Sequence, residues 1–184
     1  MQKSFSEELK MKGEWDFLLS SQETQKEMQI ILNRDGRGAY LDFIEKGVAS
    51  GSIRKIHFKN IIPTISRQQI CKAITGGIAT TAEITVNYQQ LGTGTTAPAN
   101  GDTGLQTPSA GTRKSVSSMA YSANQMNFTS FWAATEATGT WREYCLFING
   151  TGTSNSGTVF NRVAINITVG ASDALTIDGT VTIS

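Results

Sequence analysis

Glu136 and Glu143 flank Trp141, and a pair of carboxylates beside an aromatic ring is the least a glycoside hydrolase needs. Two acids do that work only when a fold holds them at a set separation across a sugar. Nothing in the spacing does so here, and Arg142 beside Glu143 reads as its partner in an ordinary surface pair. The single histidine, His57, has no cysteine, carboxylate or second histidine at metal-ligand spacing. No Ser-His-Asp arrangement follows from the order of residues, and Gly-x-Ser-x-Gly is absent. Cys71 and Cys145 read as two buried free thiols rather than a bridge. The expectation is a protein that is not an enzyme, with no catalytic residue, cofactor or metal.

Two other groups of residues suit contact rather than reaction. The string GTGTTAPANGDTG (residues 92–104) has the glycines of a phosphate loop. A phosphate loop also needs a following helix and usually a lysine, so that backbone N–H groups converge on the anion. Pro98 and Pro108 interrupt any such helix, and from residue 92 onward no Lys or Arg occurs until Arg113. A long loop without structure of its own is often a contact surface. Gly92, Thr93, Gly94, Thr95, Thr96, Pro98 and Asp102 are therefore its candidate residues. Trp132 and Trp141 are the candidate exposed aromatics, able to stack on sugar rings, although alternating strands send half of such rings into a core.

The elements that must carry these residues divide at about residue 76. From there on lie 20 of the 23 threonines, and only 10 of the 31 charged residues. A net charge of +1 gives no field toward nucleic acid. No segment has the order of a signal peptide and no apolar run nears the roughly 20 residues of a membrane helix, so neither nucleic acid nor membrane is an expected partner. Residues 1–12 read as an N-terminal arm, and 13–184 as a single mostly-β domain with a subdomain joint near 75–78. Strands are expected at 13–20, 29–32 and 52–59, with a charged connection at 22–29 and turn chemistry in NRDG (33–36). One short helix is expected at 64–75, capped by Thr64 or Ser66 and stopped by Gly76 and Gly77. Beyond it, short alternating strands at 82–88, 114–121, 125–135, 140–148, 159–169 and 174–184 point to an antiparallel β-sandwich, jelly-roll-like or Ig-like.

A resemblance rests on the later segments. The helix ending in Gly-Gly, a strand and LGTGTTAPANGDTGL (91–105), then ATGTWREYCLF (137–147) with NRV (161–163), and LTIDGTVTI (175–183) come in an order similar to a pattern in tailed-bacteriophage structural proteins. These are tail-fibre, tail-collar and baseplate-periphery proteins, and the similarity spans about residues 53–184. The resemblance implies a virion location and a non-catalytic role in assembly and attachment. The expected partners are further copies of the chain, as a trimer or higher ring, and other virion proteins. Residues 92–111 and 1–12 are the expected contact segments. The alternatives are a capsid decoration or head-fibre protein, and a carbohydrate-binding module that takes a host surface glycan.

Overall fold

A computed structural model describes residues 11–184. Among these residues, nine strands form two antiparallel sheets, and a helix lies on the outer face of each. The first sheet holds β1 (Met11–Ser20), β2 (Ile53–Asn60), β5 (Ser118–Ser122), β6 (Gln125–Trp132) and β9 (Ala174–Ile183), in the order β2-β1-β9-β6-β5. The second holds β3 (Val86–Gly92), β4 (Lys114–Ser115), β7 (Gly139–Ile148) and β8 (Thr158–Val169), in the order β4-β3-β7-β8. This is the expected β-sandwich. Residues 1–10 of the expected arm lie outside the described residues. Met11 and Lys12 already belong to β1, opposite Ile183 and Thr182.

Period-two alternation builds the space between the sheets. Trp15, Phe17 and Leu19 of β1 face Tyr144, Leu146 and Ile148 of β7 through a layer that includes Phe128, Phe160, Val163 and Ile177. The Trp15 ring lies 5.4 Å from that of Tyr144 and 6.1 Å from that of Phe128. Gly179 sits opposite Trp15 in the register, and a Cβ there would come within 2.0 Å of the indole. That glycine in LTIDGTVTI is the absence of a side chain that lets a tryptophan lie flat on the central strand.

The largest departure from expectation is α1 (Gln22–Ser50), which replaces the connection and strand expected over 22–32. Ser21 caps it, its Oγ accepting from Thr24 N at 3.1 Å, and Gly51 closes it in the left-handed region. The turn foreseen at residues 33–36 survives as a break within the helix, where Gly36 takes φ 81° and ψ −178°. Tyr40, Ile44 and Gly47 are buried at helical spacing. Together with Met28 they cover Leu18, Ile53 and Phe131 on the outer face of the first sheet. Gln25 adds a buried clamp: its Nε2 donates to the carbonyls of Trp132 and Leu175 at 2.9 and 2.8 Å. Arg37 reaches past the break to Asp178 with two bonds of 2.9 Å.

The expected short helix is α2 (Thr64–Ile74), lying against β8. Pro63 stands at its N-cap in place of Thr64 or Ser66. Ser66 Oγ instead donates to Val159 O at 2.5 Å, tying the helix to the sheet. The strand foreseen over 114–121 is two: β4 pairs in the second sheet and β5 in the first, with the chain crossing between sheets at Val116 and Ser117.

Candidate functional site

The outer face of the second sheet carries an ion cluster that the reading of single strands does not reveal. Glu143 shares its side of β7 with Cys145 and Phe147, and Arg162 of β8 sits opposite Cys145, diagonal to Glu143. Both side chains are fully buried. Arg162 donates to Glu143 Oε2 through Nε at 3.0 Å and through Nη2 at 2.8 Å. Its Nη1 reaches Asp102 Oδ2 at 2.8 Å, and Nη2 also donates to Thr96 O at 2.9 Å. Burial works against the Arg162 cation, but its bonds to Asp102 and Glu143 outweigh this and hold its pKa above the ordinary guanidinium value. The surface pair expected between Glu143 and Arg142 is thus replaced by a buried one with Arg162.

What covers this cluster is the long loop after β3. Glu143 Oε1 accepts from Gly94 N at 3.0 Å and Thr107 N at 2.7 Å, and Oε2 accepts from Gln106 N at 3.0 Å. A carboxylate that takes three amides and a guanidinium has its lone pairs filled by protein. The glycines fit this contact. A Cβ at Gly94 would fall 2.5 Å from Glu143 Oε1, and one at Gly92 would fall 2.6 Å from Thr107 O. Gly92 and Gly94 are buried, Pro98 and Asp102 are half-buried, and Thr93, Thr95 and Thr96 are exposed. The structure therefore divides the predicted contact loop into anchors turned inward and threonines turned out.

A second set of bonds holds the neighbouring turn at residues 149–157. The Arg113 guanidinium lies over the rings of Phe147 and Tyr88, with its carbon 4.2 and 5.0 Å from their centroids. From there it donates to Thr151 O at 3.0 Å and Ser156 O at 2.8 Å. Asn155 joins the two turns, accepting from Leu105 N at 2.9 Å and donating to Leu105 O at 3.1 Å. Burial lowers the Arg113 pKa from its ordinary value, and among the described residues no carboxylate bonds to it. Its charge is met by carbonyl oxygens and aromatic faces.

Trp132 and Trp141 correct the expectation of exposed rings: they are 1% and 7% exposed. Trp132 Nε1 donates to Thr112 O at 3.2 Å and Trp141 Nε1 to Ala137 O at 2.7 Å. Trp132 faces inward by the alternation it shares with Phe128, opposite Leu175, whereas Trp141 faces inward opposite Ile167 because the register of β7 and β8 shifts between Trp141 and the outward Glu143. Glu136 and Glu143 are not brought together either, since Glu136 is exposed and bonds Lys114 at 2.6 Å. His57 stands on the other sheet, with Nδ1 2.8 Å from Asp16 Oδ1, and Lys55 reaches the same carboxylate at 2.8 Å. Among the described residues, no three His, Cys, Asp or Glu side chains gather as a metal site, and no helix is long and apolar enough to cross a membrane.

The thiols divide as well. Cys145 is buried, as expected, and its Sγ donates to Asn161 O at 2.8 Å, but Cys71 is exposed on α2. Burial pushes the Cys145 thiol well above the usual range, which keeps it protonated and unreactive. A colorimetric thiol reagent should consume one equivalent from the folded protein and two in denaturant. Two fast equivalents without denaturant would contradict the burial of Cys145.

The network draws one group from each of three separate strings: Asp102 from residues 91–105, Glu143 from 137–147 and Arg162 from 161–163. Sequence reasoning chose Asp102 for the loop, read Glu143 as a surface partner of Arg142 and gave Arg162 no role. The available signal was Arg162 as the sole charge of β8 and Glu143 beside Arg142 in β7. Compared with known proteins, the chain matches no family model, no curated protein and no solved structure.

Proposed function

We propose that this chain is a non-catalytic structural component of a tailed-bacteriophage virion, at the tail, collar or baseplate periphery. It acts by self-association and by docking on neighbouring virion proteins. The observation that carries the reading is the convergence just described. The strings that resemble the phage pattern are far apart in sequence, yet Asp102, Glu143 and Arg162 meet in one buried network. The physical content of the pattern is then a device for holding a loop in one shape. With that loop fixed, Thr93, Thr95 and Thr96 form an uncharged rim whose ordering cost is met before any partner arrives. Such a rim suits repeated contacts between like copies, where a charged surface would repel itself.

The carbohydrate-binding alternative loses the two rings it relied on, because Trp132 and Trp141 are buried. Gold-labelled antibody against this chain, applied to purified phage particles, tests the reading. Label at the tail tip, collar or baseplate is the expected result. Label over the head would support the decoration alternative instead, and intact particles without the chain would overturn the virion assignment.

A further inference from the structure

The two sheets differ in extent, and the mismatch leaves one corner of the sandwich uncovered. β5 is the outermost strand of the five-stranded sheet, while the facing sheet ends in β4, only two residues long. Met119 and Tyr121 lie opposite Phe128 and Met126 on the inner face of their sheet. Among the described residues the other sheet reaches them only with Val86, at the start of β3, and they are 48% and 86% exposed. They border a hollow of about 260 Å³ whose remaining walls are Ile84, Thr85, Val86, Ala120, Met126 and Phe128. An apolar hollow beside an unpaired backbone edge is the arrangement that accepts an added strand.

We propose that β5 is the self-association edge of this protein, pairing antiparallel with β5 of a second copy across a two-fold axis near Ala120. This deepens the self-assembly reading above and rests on it for treating association as the role of the chain. Three observations favour a second copy as the occupant. No charged residue occurs between Lys114 and Glu136, so two such edges meet without repulsion and without a demand for a charged partner. The opposite edge of the same sheet, β2, carries Arg54, Lys55, His57 and Lys59 and is closed against β8, where Ile61 bridges Arg162. β5 is then the unguarded edge of that sheet. Pairing about Ala120 is also self-complementary. It sets Met119 against Tyr121 of the partner subunit, a thioether beside an aromatic ring, and Ser118 against Ser122 of the partner subunit. The two five-stranded sheets become one of about ten strands, and each Tyr121 comes to the rim of the other copy's hollow.

Light scattering or sedimentation of the full chain over a range of concentration tests this. The expected species is a dimer, or a larger assembly with an even number of copies. Met119→Lys with Tyr121→Lys places like charges across the axis and should raise the dimer Kd at least about tenfold. Circular dichroism should stay unchanged, because both side chains are already in water. As a positive arm, Ala120→Cys in a Cys71→Ser background should give a covalent dimer on oxidation, since facing Cβ atoms in such a pair are about 5 Å apart. A monomer at every concentration overturns the proposal, as does a dimer that tolerates both lysines and fails to cross-link. Association lost on deleting residues 1–10 but kept in the β5 variants would assign the contact to that segment and also overturn it. These outcomes are independent of where antibody falls on a particle, so each reading fails separately.

Discussion

Replacing Glu143 with alanine is expected to lower the free energy of unfolding by about 3–5 kcal/mol, the usual cost of stripping one partner from a buried pair. The reason is what stays behind. Arg162 keeps a fully buried cation with Asp102 as its remaining carboxylate, and the amides of Gly94, Gln106 and Thr107 lose their acceptor. Glu143→Gln keeps the shape but turns a donor toward other donors, so it should recover little. Arg162→Met should cost a similar amount, because it leaves the carboxylate buried without its cation. The double variant Glu143→Gln/Arg162→Met should then be much less harmful than the sum, by an interaction energy of roughly 1–3 kcal/mol. Urea unfolding of the four proteins measures this. Single costs below about 1 kcal/mol, or additive ones, would show that the network does not hold the fold. Hydrogen exchange at residues 94, 106 and 107 should quicken in Glu143→Gln before exchange in β7 does, because the loop opens first.

Trp15→Ala should also cost about 3–5 kcal/mol, from lost burial and the cavity left at the centre of the sandwich. Trp15 is fully buried and touches both sheets through Tyr144 and Phe128. Its indole Nε1 has no hydrogen-bond partner among the described residues. The packing of the ring, and not a polar contact, is what the substitution removes. Gly179→Ala should be destabilising on its own by about 1–3 kcal/mol or more, because the added methyl enters the space of the indole. In a Trp15→Ala background that cost should disappear, since the ring that meets the methyl is gone. Chemical denaturation of the two single variants and the double one gives the answer. A Gly179→Ala penalty that survives removal of the ring would place its origin in the backbone of β9 instead.

Much of the sandwich was legible because its signal is local. Period two in β1, β8 and β9, with Gly, Asn and Ser between strands, is enough to call antiparallel sheets, and the boundaries of β7 and β9 fall within a residue of those expected. The helix at 64–74 was legible through its apolar spacing and the glycines after it. Residues 22–50 were not, because that helix is only weakly amphipathic and is broken at Gly36. Its buried positions, Gln25 and Met28 in one half and Tyr40, Ile44 and Gly47 in the other, become a face only when the first sheet lies beneath them.

The candidate site divides along the same line. Residue types alone determined that the loop after β3 is glycine-rich, uncharged at its threonines and unable to continue as a helix past Pro98 and Pro108, because backbone freedom and ring closure are properties of single residues. Only the tertiary structure decided that Asp102, Glu143 and Arg162 belong together. A charge on a strand is solvated unless some other segment covers it, and that cover comes from a loop about 40 residues away in the chain. The same holds for Trp132 and Trp141. Alternation in β6 for Trp132, and the register shift of β7 against β8 for Trp141, put each ring on the inner face, and the presence of a second sheet over that face makes it the core. Exposure at Met119 and Tyr121 has the converse cause: the second sheet stops at β4, and among the described residues the inner face of β5 is left beside an open hollow bordered by Ile84 and Val86.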